Sequence, residues 1–287
     1  MSYKQFEWTQ FFPPKPKFTI DDVPDSQGKV YIVTGGNSGM GLDLARILYS
    51  KHKGTKAIEE IKKLELASKG KLVFLHLELA DLRNVQVAAR GFIEQEAGVN
   101  GKEQLHGLLN NAGIMTEPYT KTAQGCGEAI GVNCIGTFLF TKLLTPTLVA
   151  TAKTSPPDIV RIIWLSSFGL ESFALRGGMI DMNNIDFQNP TIPGIKRYGP
   201  SEQGTKLARH QGGVLKLVAG RILYSAFSPD ITTELDWSTK WVIPFGRIAN
   251  LRPDLPQATL CTKEGGTDFA RIFWEWNEAQ VKDYLLN

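Results

Sequence analysis

Apolar residues along this chain fall into two alternating patterns, short unbroken runs and longer stretches with helical spacing. Val30, Tyr31, Ile32 and Val33 form a β-prone run without polar alternation, as expected of a strand covered on both faces in a parallel sheet. Leu42 to Ser50 then has helical spacing. Lys71 to Leu79, carrying Leu72, Val73, Phe74, Leu75, Leu77 and Leu79, predicts another buried strand, and Ala80-Asp81-Leu82 opens an amphipathic helix to about Glu96. Further strands are expected at Leu105 to Leu109, Ile159 to Leu165 and Ile222 to Phe227. A long helix is expected over Gly127 to Ala152, bent near Pro146, and a C-terminal helix over Thr267 to Leu285. A helix is also expected from Tyr198, although Gly204, Gly212, Gly213 and Gly220 each cost it about 1 kcal/mol against alanine. The alternation predicts an α/β fold built on a parallel sheet.

The first strand runs into Thr34-Gly35-Gly36-Asn37-Ser38-Gly39-Met40-Gly41. Gly35, Gly39 and Gly41 remove side chains where the backbone must turn sharply and approach a pyrophosphate, and the following helix offers free N–H groups and partial positive charge to a phosphate. A glycine triplet alone is weak evidence, but strand before and helix after is the context the motif needs. The next βαβ strand should bear a ribose-binding residue about 20 positions after the glycines. From Lys51 to Leu66 the pattern is helical instead, with no β-rich run before Lys71, so the second strand is expected to be missing or replaced by an element of another kind.

At 287 residues and 42% hydrophobic composition the chain can bury a full core, and one large α/β domain is expected over residues 29–287 after an N-terminal arm at 1–28. Residues 168–197, rich in Gly, Asn, Asp and Pro, read as an irregular substrate loop, and 236–287 as a C-terminal extension. A formal net charge of +3, with scattered Lys and Arg, does not point to a nucleic-acid partner. Cys126, Cys134 and Cys261 have no CxxC spacing, and His52, His76, His106 and His210 have no ligand spacing, so neither a disulfide framework nor a metal site is expected. Free thiols and the lack of a charged-then-apolar leader suit the cytoplasm. Thr137 to Ala152, the longest apolar stretch, is broken by Lys142 and Pro146 and falls short of the ~20 residues of a membrane span.

The glycine turn, Asn110-Asn111-Ala112-Gly113, Asn133, Ser166-Ser167 and Tyr198, in that order, resemble the short-chain dehydrogenase/reductase family over roughly residues 27–236. The arm and the closing region from Leu251 to Tyr284 look like fungal members with a retinol-dehydrogenase-like loop. The resemblance implies a Rossmann-like doubly wound parallel sheet in three α/β/α layers. It implies cofactor contacts from Gly35, Asn37, Ser38, Gly39, Met40, Gly41, Asn110 and Asn111, with Glu78 near the adenine and Thr233 near phosphate. Ser167 matches the residue that holds the substrate oxygen, Tyr198 the proton donor or acceptor, and Asn133 the residue that orders a relay water.

The family places a lysine four residues after the tyrosine, lowering the phenol pKa from its ordinary value near ~10 and binding the nicotinamide ribose. Glu202 occupies that place here. A charge ~5 Å away at an effective dielectric of ~20 is worth about 3 kcal/mol, so an ionised Glu202 raises the phenol pKa where the lysine would lower it. Lys206 is two turns along, about 12 Å of helix rise from Tyr198. Pro229 is followed by Asp230 where the family has glycine.

Three readings follow. The leading one is an oxidoreductase using NADP, with NAD as the alternative, on a ketone or secondary alcohol of a fungal secondary metabolite or other lipophilic small molecule. The second is a non-redox cyclase, isomerase or dehydratase in which Glu202, Tyr198 and Ser167 do acid–base work. The third is an inactive relative that has lost a segment of the fold. A homo-oligomer is a family expectation.

Overall fold

The computed structural model describes residues 12–50, 71–115, 120–166, 182–185, 222–243 and 245–285. Strands β1 (Tyr31–Val33), β2 (Gly107–Asn110) and β3 (Arg161–Trp164) pair in parallel in that order. The register sets Tyr31 beside Gly107 and Gly107 beside Arg161. All three strands therefore start at one level and end at one level, just before Thr34, Asn111 and Leu165.

Leu108 and Leu109 point to opposite faces of β2 and both are fully buried, which is why the strand sequence lacks polar alternation. Ile32 and Leu108 join a core formed with α2 (Leu82–Asn100) and α3 (Glu128–Thr154). Tyr31, Val33, Leu109 and Ile163 join a second core with α1 (Gly39–Ser50) and the helical residues 222–227 (α4). Helices thus cover both faces, giving the expected three-layer, doubly wound α/β/α arrangement. Because α1 follows β1 on one face and α3 follows β2 on the other, the chain reverses direction between β1 and β2. That switch point, at the carboxyl ends of the strands, is where this architecture opens a crevice.

Local sequence sets the helix limits. Asp81 accepts from Arg83 N at 3.0 Å to cap α2, and Gly101, at φ 63°, ends it with its N–H on Ala97 O. Within α3 the residues Gly131–Gly136 form a π-helical turn, and Pro146 sits inside the helix. By length and composition α3 could cross a bilayer, but 72% of its most apolar stretch is buried within the protein. The C-terminal helix α5 (Phe269–Val281) packs Phe269 and Phe273 against Ile130 and Cys134 of α3.

Two expected strands are absent. Residues 71–78 make no ladder; Leu75, Leu77 and Leu79 face the core while Phe74 is 69% exposed. The expected absence of a second strand after α1 falls on residues 51–70, outside the described residues. Residues 222–227 are helical. Their β-branched and aromatic side chains suit either state, and packing decides: Ile222, Leu223 and Ala226 bury one helical face against the sheet. An antiparallel hairpin, β4 (Lys240–Ile243) with β5 (Arg247–Asn250), carries no strong alternation in sequence and was not foreseen. The expected helix from Tyr198 and the loop at 168–197 fall largely outside the described residues, as do His52 and His210.

His106, immediately before β2, accepts from Val30 N through Nδ1 at 3.1 Å, while Val30 O accepts from His106 N at 2.8 Å. Burial, and then the charge of Lys29, lowers its pKa below the ordinary 6.5. The native state therefore favours the neutral ring, and the unfolded chain takes up the proton first. Its contribution to stability is complete above pH 6.5 and declines as the pH falls below it. The thermal midpoint should drop more steeply between pH 7.5 and about 5.5 in the native sequence than in His106→Gln, whose amide oxygen keeps an acceptor for Val30 N; parallel curves would exclude this role.

Candidate functional site

At the switch point the carboxyl ends of β1 and β2 are tied together by Thr34 and Asn111. Thr34 Oγ1 accepts from Asn111 N at 3.0 Å and Ala112 N at 2.9 Å, and Asn111 Nδ2 returns a bond to Thr34 O at 2.9 Å. The lock sets where the glycine turn starts. Gly35 and Gly39 then adopt φ values of 67° and 51°. Gly41 lies so close to the start of the turn that a Cβ there would fall 2.1 Å from Gly35 O and 2.6 Å from Asn111 Nδ2.

Gly39 is different: a Cβ there meets nothing within 4 Å. Its open side lies at the N-terminus of α1, where Leu42 N makes the first helical bond to Ser38 O at 3.2 Å. The preceding amides have no partner within the helix. Asn37 and Ser38 are exposed beside this opening, and Met40 packs back onto the α1–α4 core. A concave backbone turn of positive partial charge, with no side chain in its mouth, fits a diphosphate.

The strand ends beyond Thr34 hold further predicted residues. Asn110 is buried, and its Nδ2 donates to Thr141 Oγ1 of α3 at 3.0 Å. Ser166 is fully buried after β3. Among the described residues neither Asn110 Oδ1 nor Ser166 Oγ has a hydrogen-bond partner. Asn133, in the π-helical turn, spends its amide on one peptide: Oδ1 accepts from Ile114 N and Nδ2 donates to Ile114 O, both at 2.9 Å. The amide fixes the stretch after β2 to α3. Glu78 closes a local turn, accepting from Ala80 N at 3.0 Å. Ser167, Tyr198 and Glu202 lie outside the described residues.

Thr233 is not brought to this site. Its N–H donates to Asp158 Oδ1 at 2.9 Å, three residues before β3 begins. Arg161, the first residue of β3, donates to Asp158 O at 2.7 Å, Ser225 O at 3.0 Å, Ser228 O at 3.1 Å and Ile231 O at 3.0 Å. The ring of Phe227 meets that of Tyr31, the first residue of β1, with centroids 5.5 Å apart. The turn from Ser228 to Thr233 therefore lies at the amino ends of the strands, whereas the glycine turn lies at their carboxyl ends. Asp230 is also committed there, accepting from Tyr224 Oη at 2.9 Å. Burial, and then that carboxylate, pushes the Tyr224 phenol up to about 12. Burial lowers the Arg161 pKa, opposed by Asp158 and Tyr31.

Thr34, Asp158, Arg161 and Tyr224 were not foreseen as organising residues. A lone arginine within the otherwise apolar Ile159–Leu165 run was the available signal for one of them. Among the described residues no cluster of three His, Cys, Asp or Glu side chains is placed to hold a metal.

Replacing Thr34 by the isosteric valine removes the acceptor for Ala112 N and one of the acceptors for Asn111 N. Thr34→Val should cost about 1–3 kcal/mol in urea unfolding; a cost under about 0.5 kcal/mol would mean that the lock does not hold the two strand ends.

The short chain dehydrogenase family model matches residues 29–174. The chain is 37% identical to the short-chain dehydrogenase/reductase bet4 of Neocamarosporium betae, over 97% of this chain and 93% of that protein. It is 38% identical to a short-chain dehydrogenase/reductase of Phomopsis amygdali, over 97% of both. Both alignments run to 332 positions against 287 residues here, so at least 45 positions of the alignment have no counterpart in this chain. Among solved structures, an uncharacterized protein from Mycobacterium paratuberculosis superposes with a TM-score of 0.63 at 21% identity, covering 92% of this chain and 97% of that one. The glycine turn, the Asn111 lock and the extent of these matches together make this chain a member of the short-chain dehydrogenase/reductase family, an oxidoreductase family.

Proposed function

We propose that this protein is a nicotinamide-dependent oxidoreductase that interconverts a ketone and a secondary alcohol on a small molecule of fungal secondary metabolism. The single observation that carries the reading is the glycine turn at the switch point, with the open face of Gly39 above the start of α1 and its base locked by Thr34 and Asn111. The similarity to fungal short-chain dehydrogenase/reductases supports the metabolic setting.

In this reading the dinucleotide, when bound, supplies or accepts the hydride. Amide groups of the turn from Gly35 to Gly41 hold its diphosphate. Ser167 holds the substrate oxygen, and Tyr198 gives that oxygen a proton in reduction or removes one in oxidation. Asn133, by fixing Ile114 to α3, keeps the floor between cofactor and substrate in place. Glu202, at the position of the family's lysine, favours the protonated phenol, which suits proton donation to an alkoxide better than proton removal from an alcohol. Reduction is the favoured direction, and NADPH the favoured reductant. Action in the cytoplasm and assembly as a homo-oligomer belong to the same proposal.

Binding tests the reading directly. Saturable fluorescence quenching or energy transfer is expected on titration with NADPH or NADH. Gly39→Asp, whose Cβ enters open space at a φ that aspartate tolerates, should fold normally and weaken that binding at least about tenfold by opposing the diphosphate charge. Absence of saturable binding by either nucleotide would remove the oxidoreductase reading, and unchanged binding in the variant would move the site elsewhere.

A further inference from the structure

The π-helical turn of α3 lies at the crevice end of β2, where Asn133 holds the Ile114 peptide, and it is seated tightly. A Cβ at Gly136 would fall 2.3 Å from Leu79 O, and one at Gly131 would fall 2.2 Å from Thr122 Cγ2. Its remaining side meets the C-terminal helix. Ile130 and Cys134, four residues apart on α3, are buried in a cluster with Ala258 and with Phe269 and Phe273 of α5. The Phe273 ring stacks on those of Phe269 and Trp276, with centroids 6.1 and 5.7 Å away. Two partly buried side chains from a distant part of the chain, Met182 and Ile185, pack onto this cluster. Met182 opens a single 3₁₀ turn (Met182–Asn184) and Ile185 follows it, in the stretch that joins Ser167 to Tyr198.

We infer that Phe269 and Phe273 are positioning residues for the substrate: through this cluster they hold residues 182–185, and with them the chain between Ser167 and Tyr198, against the turn that carries Asn133. This rests on the oxidoreductase reading above, which puts Ser167 and Tyr198 at the reacting oxygen, and adds the C-terminal helix to the substrate's side of the site. Among its described residues the cluster takes none from β1, the glycine turn or α1. Substrate affinity therefore depends on this seat, and diphosphate binding does not. The rest of α5 is anchored elsewhere: Lys142 pairs with Glu278, Val281 is fully buried in the core of α2 and α3, and Gln86 Nε2 donates to Tyr284 O at 3.2 Å. Weakening the cluster loosens the seat and leaves the helix docked.

Steady-state kinetics of the full chain with NADPH and a set of cyclic ketones and diketones, from cyclohexanone to 9,10-phenanthrenequinone, test this beside NADPH titration of the same variants. Phe273→Leu keeps an apolar side chain in the cluster, and Ile185→Ala trims the segment that packs on it. Each should raise the carbonyl KM at least about fivefold, with kcat and the NADPH dissociation constant within about twofold of the native chain. The double variant should raise KM little beyond the larger single effect, because both changes weaken one contact. Trp274→Ala removes an exposed ring of α5 that meets Phe138 instead of the cluster, and should leave KM unchanged. Ile185→Ala, remote from the fold of α5, decides the outcome where Phe273→Leu does not fold. The inference is overturned, with the oxidoreductase reading intact, by an unchanged KM in either single variant, by additive effects in the double, or by an equal rise in Trp274→Ala. A kcat that falls as far as KM rises, or an NADPH dissociation constant that rises with it, overturns it too. If the native chain reduces none of the carbonyls, the oxidoreductase reading fails and this inference with it.

Discussion

A guanidinium at the foot of β3 holds the end of α4 and the turn after it. Arg161 carries five donors and no acceptor, and here four main-chain carbonyls satisfy it: one from the residue that leads into its own strand and three from the end of α4 and the turn beyond. Ser225 O belongs to the last turn, whose carbonyls a helix leaves unpaired, and a cation beside it is favoured by the helix dipole as well as by hydrogen bonding. Leaving this partly buried charge without partners would be costly. Helix α4 thus ends at the amino ends of the strands, and the segment after it stays there.

At the opposite end, a different economy builds the site. One hydroxyl and one amide, on Thr34 and Asn111, join the ends of β1 and β2 through three hydrogen bonds, and the glycine turn is hung from that junction. The turn needs only backbone to hold a diphosphate, so it tolerates change elsewhere in the chain. The three-strand sheet retains what that half of the site requires, namely two strand ends, a crossing of the chain from one face to the other, and a helix aimed at the opening. What it does not bring to the opening is the region from Pro229 to Thr233.

Much of this was legible in the sequence for physical reasons. The apolar runs around Ile32, Leu108 and Ile163 marked the strands, and Gly35, Gly39 and Gly41 marked the turn, the first two at positive φ and Gly41 where a Cβ would strike Gly35 O. The errors share one cause. Residues 71–79 and 222–227 have strand-like composition, but a strand exists only with a neighbour, and pairing is not written in a segment's own residues. The role of Thr233 was transferred by position along the chain, and position along the chain does not reveal which end of the sheet a turn will occupy. Asn133 was singled out as the residue that orders a relay water; in the structure its amide bonds the Ile114 peptide, a long-range contact that no local pattern discloses.

The central claim is that the turn after α4 and the glycine turn lie at opposite ends of the strand layer. Spin labels on two exposed residues, Ser38 beside the glycine turn and Glu234 beside Thr233, measure that separation directly by electron paramagnetic resonance, with the three native cysteines replaced by serine. The predicted distance is on the order of 20 Å or more, from the strand rise of about 3.3 Å per residue and the turns at each end. A distance near 10 Å would put both turns at one end and contradict the account.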